Sequence, residues 1–144
     1  MDVKSYFSKV FAIESRIGKL CDKIEALRAA QTAGSGLGGG PYVQKSRNYR
    51  RQEDISVSVL ELEGEAARAR MSLLALETQI REMSRNLSSP TARAIITWRY
   101  ICRLKWKDIA ERAQMSEMQI IREHNAALAQ LEIFNNGLTN SIAN

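Results

Sequence analysis

The stretch Lys105-Trp106-Lys107-Asp108-Ile109-Ala110-Glu111-Arg112-Ala113-Gln114-Met115-Ser116-Glu117-Met118-Gln119-Ile120-Ile121-Arg122 reads as two short helices hinged at a tight turn. Ile109 and Ala110 fall where the first helix meets the second, and Met115 fills the turn. Ser116 begins a new helix, with Ile120 one turn along its buried side. Ser116 and Gln119 have the spacing of a capping box, in which the hydroxyl accepts from the Gln119 amide and the Gln119 side chain reaches back. The pattern is that of a helix-turn-helix, a unit that offers the exposed side of its second helix to the DNA major groove. An ordinary corner of a helical bundle is the competing reading.

Upstream, Leu87-Ser88-Ser89-Pro90-Thr91 separates this unit from a preceding helix. Ser89 suits the N-cap and Pro90 the first helical position, where its missing N–H is no loss. The helix that follows carries Ile95, Ile96, Trp98, Tyr100, Ile101 and Leu104, and Trp98, Tyr100 and Trp106 read as the core of a small domain. Downstream, Leu131, Ile133 and Phe134 continue the last helix and Asn135-Asn136-Gly137 is expected to end it. A helix-turn-helix domain is therefore predicted over residues 88–134, with 135–144 as a frayed tail.

The first half is dominated by heptads. Val3, Tyr6, Val10, Ile13, Ile17, Leu20, Ile24 and Leu27 alternate 3 and 4 apart, which predicts one helix over residues 3–29, about 40 Å long at 1.5 Å per residue. Ala33-Gly34-Ser35-Gly36-Leu37-Gly38-Gly39-Gly40-Pro41 cannot hold a helix, because glycine costs too much backbone entropy and proline lacks a donor. A flexible basic loop is expected at about 31–52. The seam resumes as Ile55, Val59, Leu62, Ala66, Ala69, Leu73, Leu76, Ile80, Met83 and Leu87, predicting a second long helix from about Glu53. Residues 1–87 thus read as an all-α antiparallel hairpin, a coiled coil. Its acidic second arm (Glu53, Asp54, Glu61, Glu63, Glu65) lies beside Lys19, Lys23 and Arg28; a parallel dimer is the alternative. A further stripe, Leu60, Ala67 and Leu74 with Phe7 and Phe11, needs cover from the C-terminal domain or a second subunit.

The 144 residues carry a formal net charge of +5. Residues 31–52 hold four basic and no acidic side chains, and residues 88–128 hold seven basic and four acidic. Such concentration fits a polyanionic partner, since neutralised phosphates release counterions. The basic run Lys45 to Arg51 is equally well a solvated tip. No segment approaches the apolar length of a transmembrane helix, so a cytoplasmic protein without membrane attachment is expected. Cys21 and Cys102 are isolated thiols without metal-ligand spacing. No nucleophile-base or ligand cluster is visible, and Glu61, Glu63 and Glu65 do not share a helix face. No enzyme activity, metal or cofactor is expected, and His124, the single histidine, reads as a satisfied or solvated imidazole.

From the hairpin seams to Leu128 the chain resembles a family of small phage and prophage proteins that join an N-terminal helical hairpin to a helix-turn-helix like the fourth conserved region of bacterial sigma factors. Late-transcription activators of the ArpU and RinA type are its nearest named relatives. Trp98-Arg99-Tyr100 looks like the family's basic-aromatic segment and Trp106-Lys107-Asp108-Ile109-Ala110 like its first helix. Met115-Ser116 with Ile120 and Ala127-Leu128 looks like its recognition helix. The chain departs from the pattern at Gln114, where the turn usually has glycine, at Lys105, which replaces a hydroxyl cap, and at Glu123, where the family is apolar. The resemblance implies transcription regulation, with RNA polymerase as a further partner.

Helical geometry places Ser116, Glu117, Gln119, Arg122 and Asn125 on the groove-facing side as base-reading candidates. Arg99, Arg103, Lys105, Lys107 and Arg112 are phosphate candidates that would orient the protein without reading sequence. A sequence-specific DNA-binding regulator acting as a homodimer on double-stranded DNA is the leading expectation. A small-terminase-like DNA-packaging subunit and a coiled-coil adaptor that binds no nucleic acid are the rivals.

Overall fold

A computed structural model describes residues 2–34 and 42–143, all of whose regular structure is helical. The elements are α1 (Val3–Gly34), α2 (Tyr42–Ser84), α3 (Pro90–Ile96) continued by a π-helical turn (Thr97–Ile101), α4 (Trp106–Ala113) and α5 (Glu117–Ala143). No helix among the described residues is long and apolar enough to cross a membrane. Two compact units share the long helices: Ile13–Ser72 forms one, and Met1–Ala12 with Leu73–Asn144 the other.

In the unit Ile13–Ser72, α1 and α2 meet along their heptad seams, where Leu20, Ile24, Val59, Ala66 and Ala69 are buried. The polar contacts that flank the seam follow opposite chain directions. Arg70 reaches Cys21 Sγ at 3.4 Å, Arg28 pairs with Glu63, and Gln31 Nε2 donates to Ser56 Oγ at 3.0 Å. Arg16 Nη2 lies 4.0 Å from a Glu65 carboxylate oxygen. These pairs are exposed and each contributes at most about 1 kcal/mol, so the apolar seam dominates.

The other unit is built on buried Val3, Phe7, Val10, Ile80, Leu87, Ile95, Ile96, Ile109, Ile120 and Leu131. Phe7, placed by the sequence on a stripe in need of cover, lies edge-on to Tyr100 with ring centroids 5.3 Å apart, and Phe11 sits 5.9 Å from the same ring. The Val3 amide donates to Glu132 on α5 at 3.2 Å, which ties the first turn of α1 to the last helix. Ser89 caps α3 by accepting from the Ala92 amide at 3.3 Å, with Pro90 at the first helical position.

Two expectations are corrected. The basic loop expected at about 31–52 is shorter, because α1 runs to Gly34 and α2 starts at Tyr42. The glycine run from Ser35 to Gly40 and Pro41 lies outside the described residues. Residues 42–52 contain no glycine or proline, so nothing local stops the second seam from extending backward once Gln31 and Ser56 pair across it. Secondly, Asn135-Asn136-Gly137 does not end α5, which continues to Ala143. Leu131, Phe134, Asn135 and Leu138 line a groove with Gln79, Glu82 and Met83 of α2 and Asn86 of the turn that follows it. That packing offsets the roughly 1 kcal/mol that a helical glycine costs.

Candidate nucleic-acid interface

The geometry between α4 and α5 begins with a chain reversal that glycine would ordinarily provide. Gln114 adopts φ 56 and ψ 42, the left-handed region. The Met115 amide then donates back to the Ala110 carbonyl at 3.1 Å, closing the six-residue loop of a Schellman motif. Met115 packs on a cluster of Ile95, Ile109, Ala110 and Ile120, joined by Trp98, Leu104, Trp106 and Ala113. Ser116 Oγ accepts from the Gln119 amide at 3.2 Å, and Gln119 Oε1 accepts from the Ser116 amide at 3.1 Å. This reciprocal pair satisfies two of the open donors at the start of α5. At the other end of α4, Lys105 provides no side-chain cap.

The buried side of α5 is anchored by a polar core. His124 is 2% exposed, and its Nε2 lies 2.6 Å from the Tyr100 hydroxyl. Nδ1 lies 3.3 Å from Asn125 Oδ1, an acceptor, so Nδ1 carries the proton and Tyr100 donates to Nε2. The imidazole stacks on Tyr100 and meets Trp106 edge-on, with centroids 5.6 and 4.7 Å away. Burial, reinforced by the nearby cations Lys4 and Arg99, lowers the His124 pKa, against the opposing pull of Asn125. Burial also pushes the Tyr100 phenol up to about 12, so it remains a donor.

The structure divides the cationic candidates into two groups. Arg99 is drawn inward: its guanidinium lies 4.8 Å from the Phe11 ring and 4.3 Å from the Trp106 ring, and it donates to the Leu104 carbonyl at 2.9 Å. Burial lowers its pKa. Arg103, with φ 55, reaches Glu77 on α2 at 2.7 Å in a half-buried ion pair. Both hold the fold around α4. Lys105, Lys107 and Arg112 are exposed, in the company of exposed Asp108 and Glu111.

Among the base-reading candidates, Ser116, Glu117, Gln119, Arg122 and Asn125 are all exposed. Gln119 and Ser116 are nevertheless committed to each other, and the Asn125 carbonyl to His124. Arg122 extends along Met118, its Nη2 3.9 Å from Sδ. Met118, 66% exposed, sits at a base-reading position by the family resemblance, and Ile121, absent from the base-reading candidates above, shares its face. Positions 118, 121, 122 and 125 follow the i, i+3, i+4, i+7 spacing of one helix side, the sequence signal that groups them. Glu123 is half-buried at the border. The chain matches no family model, no curated protein and no solved structure with which it was compared.

Proposed function

We propose that the chain is a sequence-specific DNA-binding transcriptional regulator. In this reading residues 1–87 form an antiparallel helical hairpin, and α4, the turn and α5 form a sigma-region-4-like helix-turn-helix. The observation that carries it is the outward face of the first turns of α5. Glu117, Met118, Ile121, Arg122 and Asn125 project from a helix whose opposite side, at Ile120, His124 and Ala127, is buried. A helix held rigidly from behind presents its side chains at fixed positions, which base readout requires. Arg122 donates two hydrogen bonds to guanine O6 and N7, and Glu117 accepts from cytosine N4. The Asn125 amide nitrogen, its carbonyl being held by His124, donates to adenine N7, and Met118 or Ile121 meets a thymine methyl.

Lys105, Lys107 and Arg112 hold phosphates and set register. With these three exposed cations engaged, the logarithm of affinity falls against the logarithm of salt with a slope of about −2.7, at roughly −0.9 per phosphate. The likeness to late-transcription activators supports regulation as the outcome, RNA polymerase as a second partner, a phage or prophage setting and a cytoplasmic place of action. One unit reads few base pairs, so the active species is a homodimer on two half-sites.

Selection of bound duplexes from a random library tests this reading. An enriched motif containing a repeated half-site is the expected result. Binding without enrichment removes sequence specificity, and absence of salt-dependent binding removes the nucleic-acid function.

A further inference from the structure

We infer that α2 carries a second heptad seam, facing away from α1, and that its occupant is the α2 of another copy of this chain laid antiparallel. The inference rests on the homodimer of the proposed function and specifies where and how the copies meet. Val57, Leu60, Gly64, Ala67 and Met71 are spaced 3, 4, 3 and 4 apart. This is the register of a coiled-coil interface. Val57 is 51% exposed, Leu60 69% and Met71 70%, with Ala67 also exposed. Single exposed apolar residues are ordinary, but four of them at heptad spacing around a central glycine, on the far side of a helix already packed through its own seam, are not. The centre of the seam is small. A Cβ built at Gly64 would meet only the Arg68 guanidinium, at 3.4 Å, so no other atom among the described residues outside the helix's own backbone lies within 4 Å of that point. Small central residues let two helix backbones approach closely.

Charge selects the partner and its direction. Antiparallel packing sets Gly64 opposite the partner's Ala67 and Leu60 opposite the partner's Met71. Along one edge of the seam lie Glu61 and Arg68, both exposed. In the antiparallel arrangement like edges adjoin, so Glu61 meets the partner's Arg68 and Arg68 meets the partner's Glu61. The other edge carries Glu63 and Arg70, which are engaged within the chain by Arg28 and Cys21. A parallel pair would join unlike edges and need Glu63 as the partner of Arg68, in competition with Arg28. The antiparallel pair lets the uncommitted Glu61 and Arg68 complete each other twice over, and on the other edge it brings Glu63 near the partner's Arg70 without displacing Arg28.

Sedimentation equilibrium of the full chain over roughly 1 to 200 µM tests the inference, with circular dichroism confirming unchanged helicity of every variant. The wild type is expected to reach a dimer. Leu60→Glu, at a position open to solvent, is expected to raise the dissociation constant about 100-fold by placing two carboxylates in the seam. Arg68→Glu is expected to weaken the dimer about 10-fold, and adding Glu61→Arg to restore it to within about 3-fold of wild type. A monomer throughout, an assembly larger than a dimer, or a dimer indifferent to Leu60→Glu overturns the inference. A dimer sensitive to Leu60→Glu that the double charge reversal fails to restore overturns the antiparallel arrangement. Because no DNA enters the measurement, a dimer that binds no DNA sinks only the regulator reading, and a monomer that binds DNA sinks only this one.

Discussion

Acidification should loosen the protein through one residue, His124. The imidazole is buried, neutral, and bonded through Nε2 to the Tyr100 hydroxyl, and its folded-state pKa is below the ordinary 6.5. The unfolded chain takes up a proton near pH 6.5 while the folded chain resists, so the contribution is fully present above pH 6.5 and is lost as pH falls. The loss approaches about 1.4 kcal/mol per pH unit below 6.5, hence up to about 2 kcal/mol at pH 5, until the folded state itself protonates. At roughly 3 °C per kcal/mol, the melting temperature should drop by up to about 6 °C between pH 7 and pH 5. His124→Gln keeps a hydrogen-bonding side chain but cannot titrate, so its melting temperature should be lower at pH 7 and flatter across this range. Because His124 is the only histidine, its ring proton resonances report the folded-state pKa directly. A pKa at or above 6.5, or the same pH slope in wild type and His124→Gln, refutes the reasoning.

Further outcomes follow from the α4–α5 geometry. Arg122→Ala should cost roughly 1 to 3 kcal/mol on a selected duplex and relax one base preference, whereas Lys107→Ala should weaken all duplexes alike and lower the salt slope by about 1; equal loss on selected and scrambled duplexes would make Arg122 a phosphate contact. Arg99→Ala should lower thermal stability by about 1 to 3 kcal/mol, since it removes the contacts to Phe11, Trp106 and the Leu104 carbonyl; unchanged melting would show that the inward guanidinium does not support the fold. Gln114→Gly relieves a left-handed φ of 56 and should stabilise by up to about 1 kcal/mol, offset in part by the freer unfolded chain; a clear loss of stability in denaturant titration would mean that the glutamine side chain contributes more than its backbone costs.

The sequence by itself determined what is local or periodic. Ile55, Val59, Leu62, Ala66 and Ala69 are buried or half-buried as their spacing requires, because a helix turns the same side inward at that period. The Ser89 cap and the Ser116–Gln119 pair were legible because donor and acceptor lie within three residues of one another. Tertiary structure decided whatever depended on residues distant in the chain. Arg99 and Arg103 look in sequence like any surface cation near a basic helix. They are drawn inward by Phe11 and by Glu77, the latter 26 residues away. The same holds for the ends of the helices: Gly137 should break α5, yet Leu131, Phe134 and Leu138 of α5 line a groove with Met83 of α2 there and the helix continues. His124 carried no local sign of its role, since a lone imidazole becomes a core hydrogen-bonding partner only when Tyr100, 24 positions earlier, is folded against it. A local pattern specifies which side of a helix is apolar, whereas the direction of a polar side chain is settled by the partner the fold brings to it.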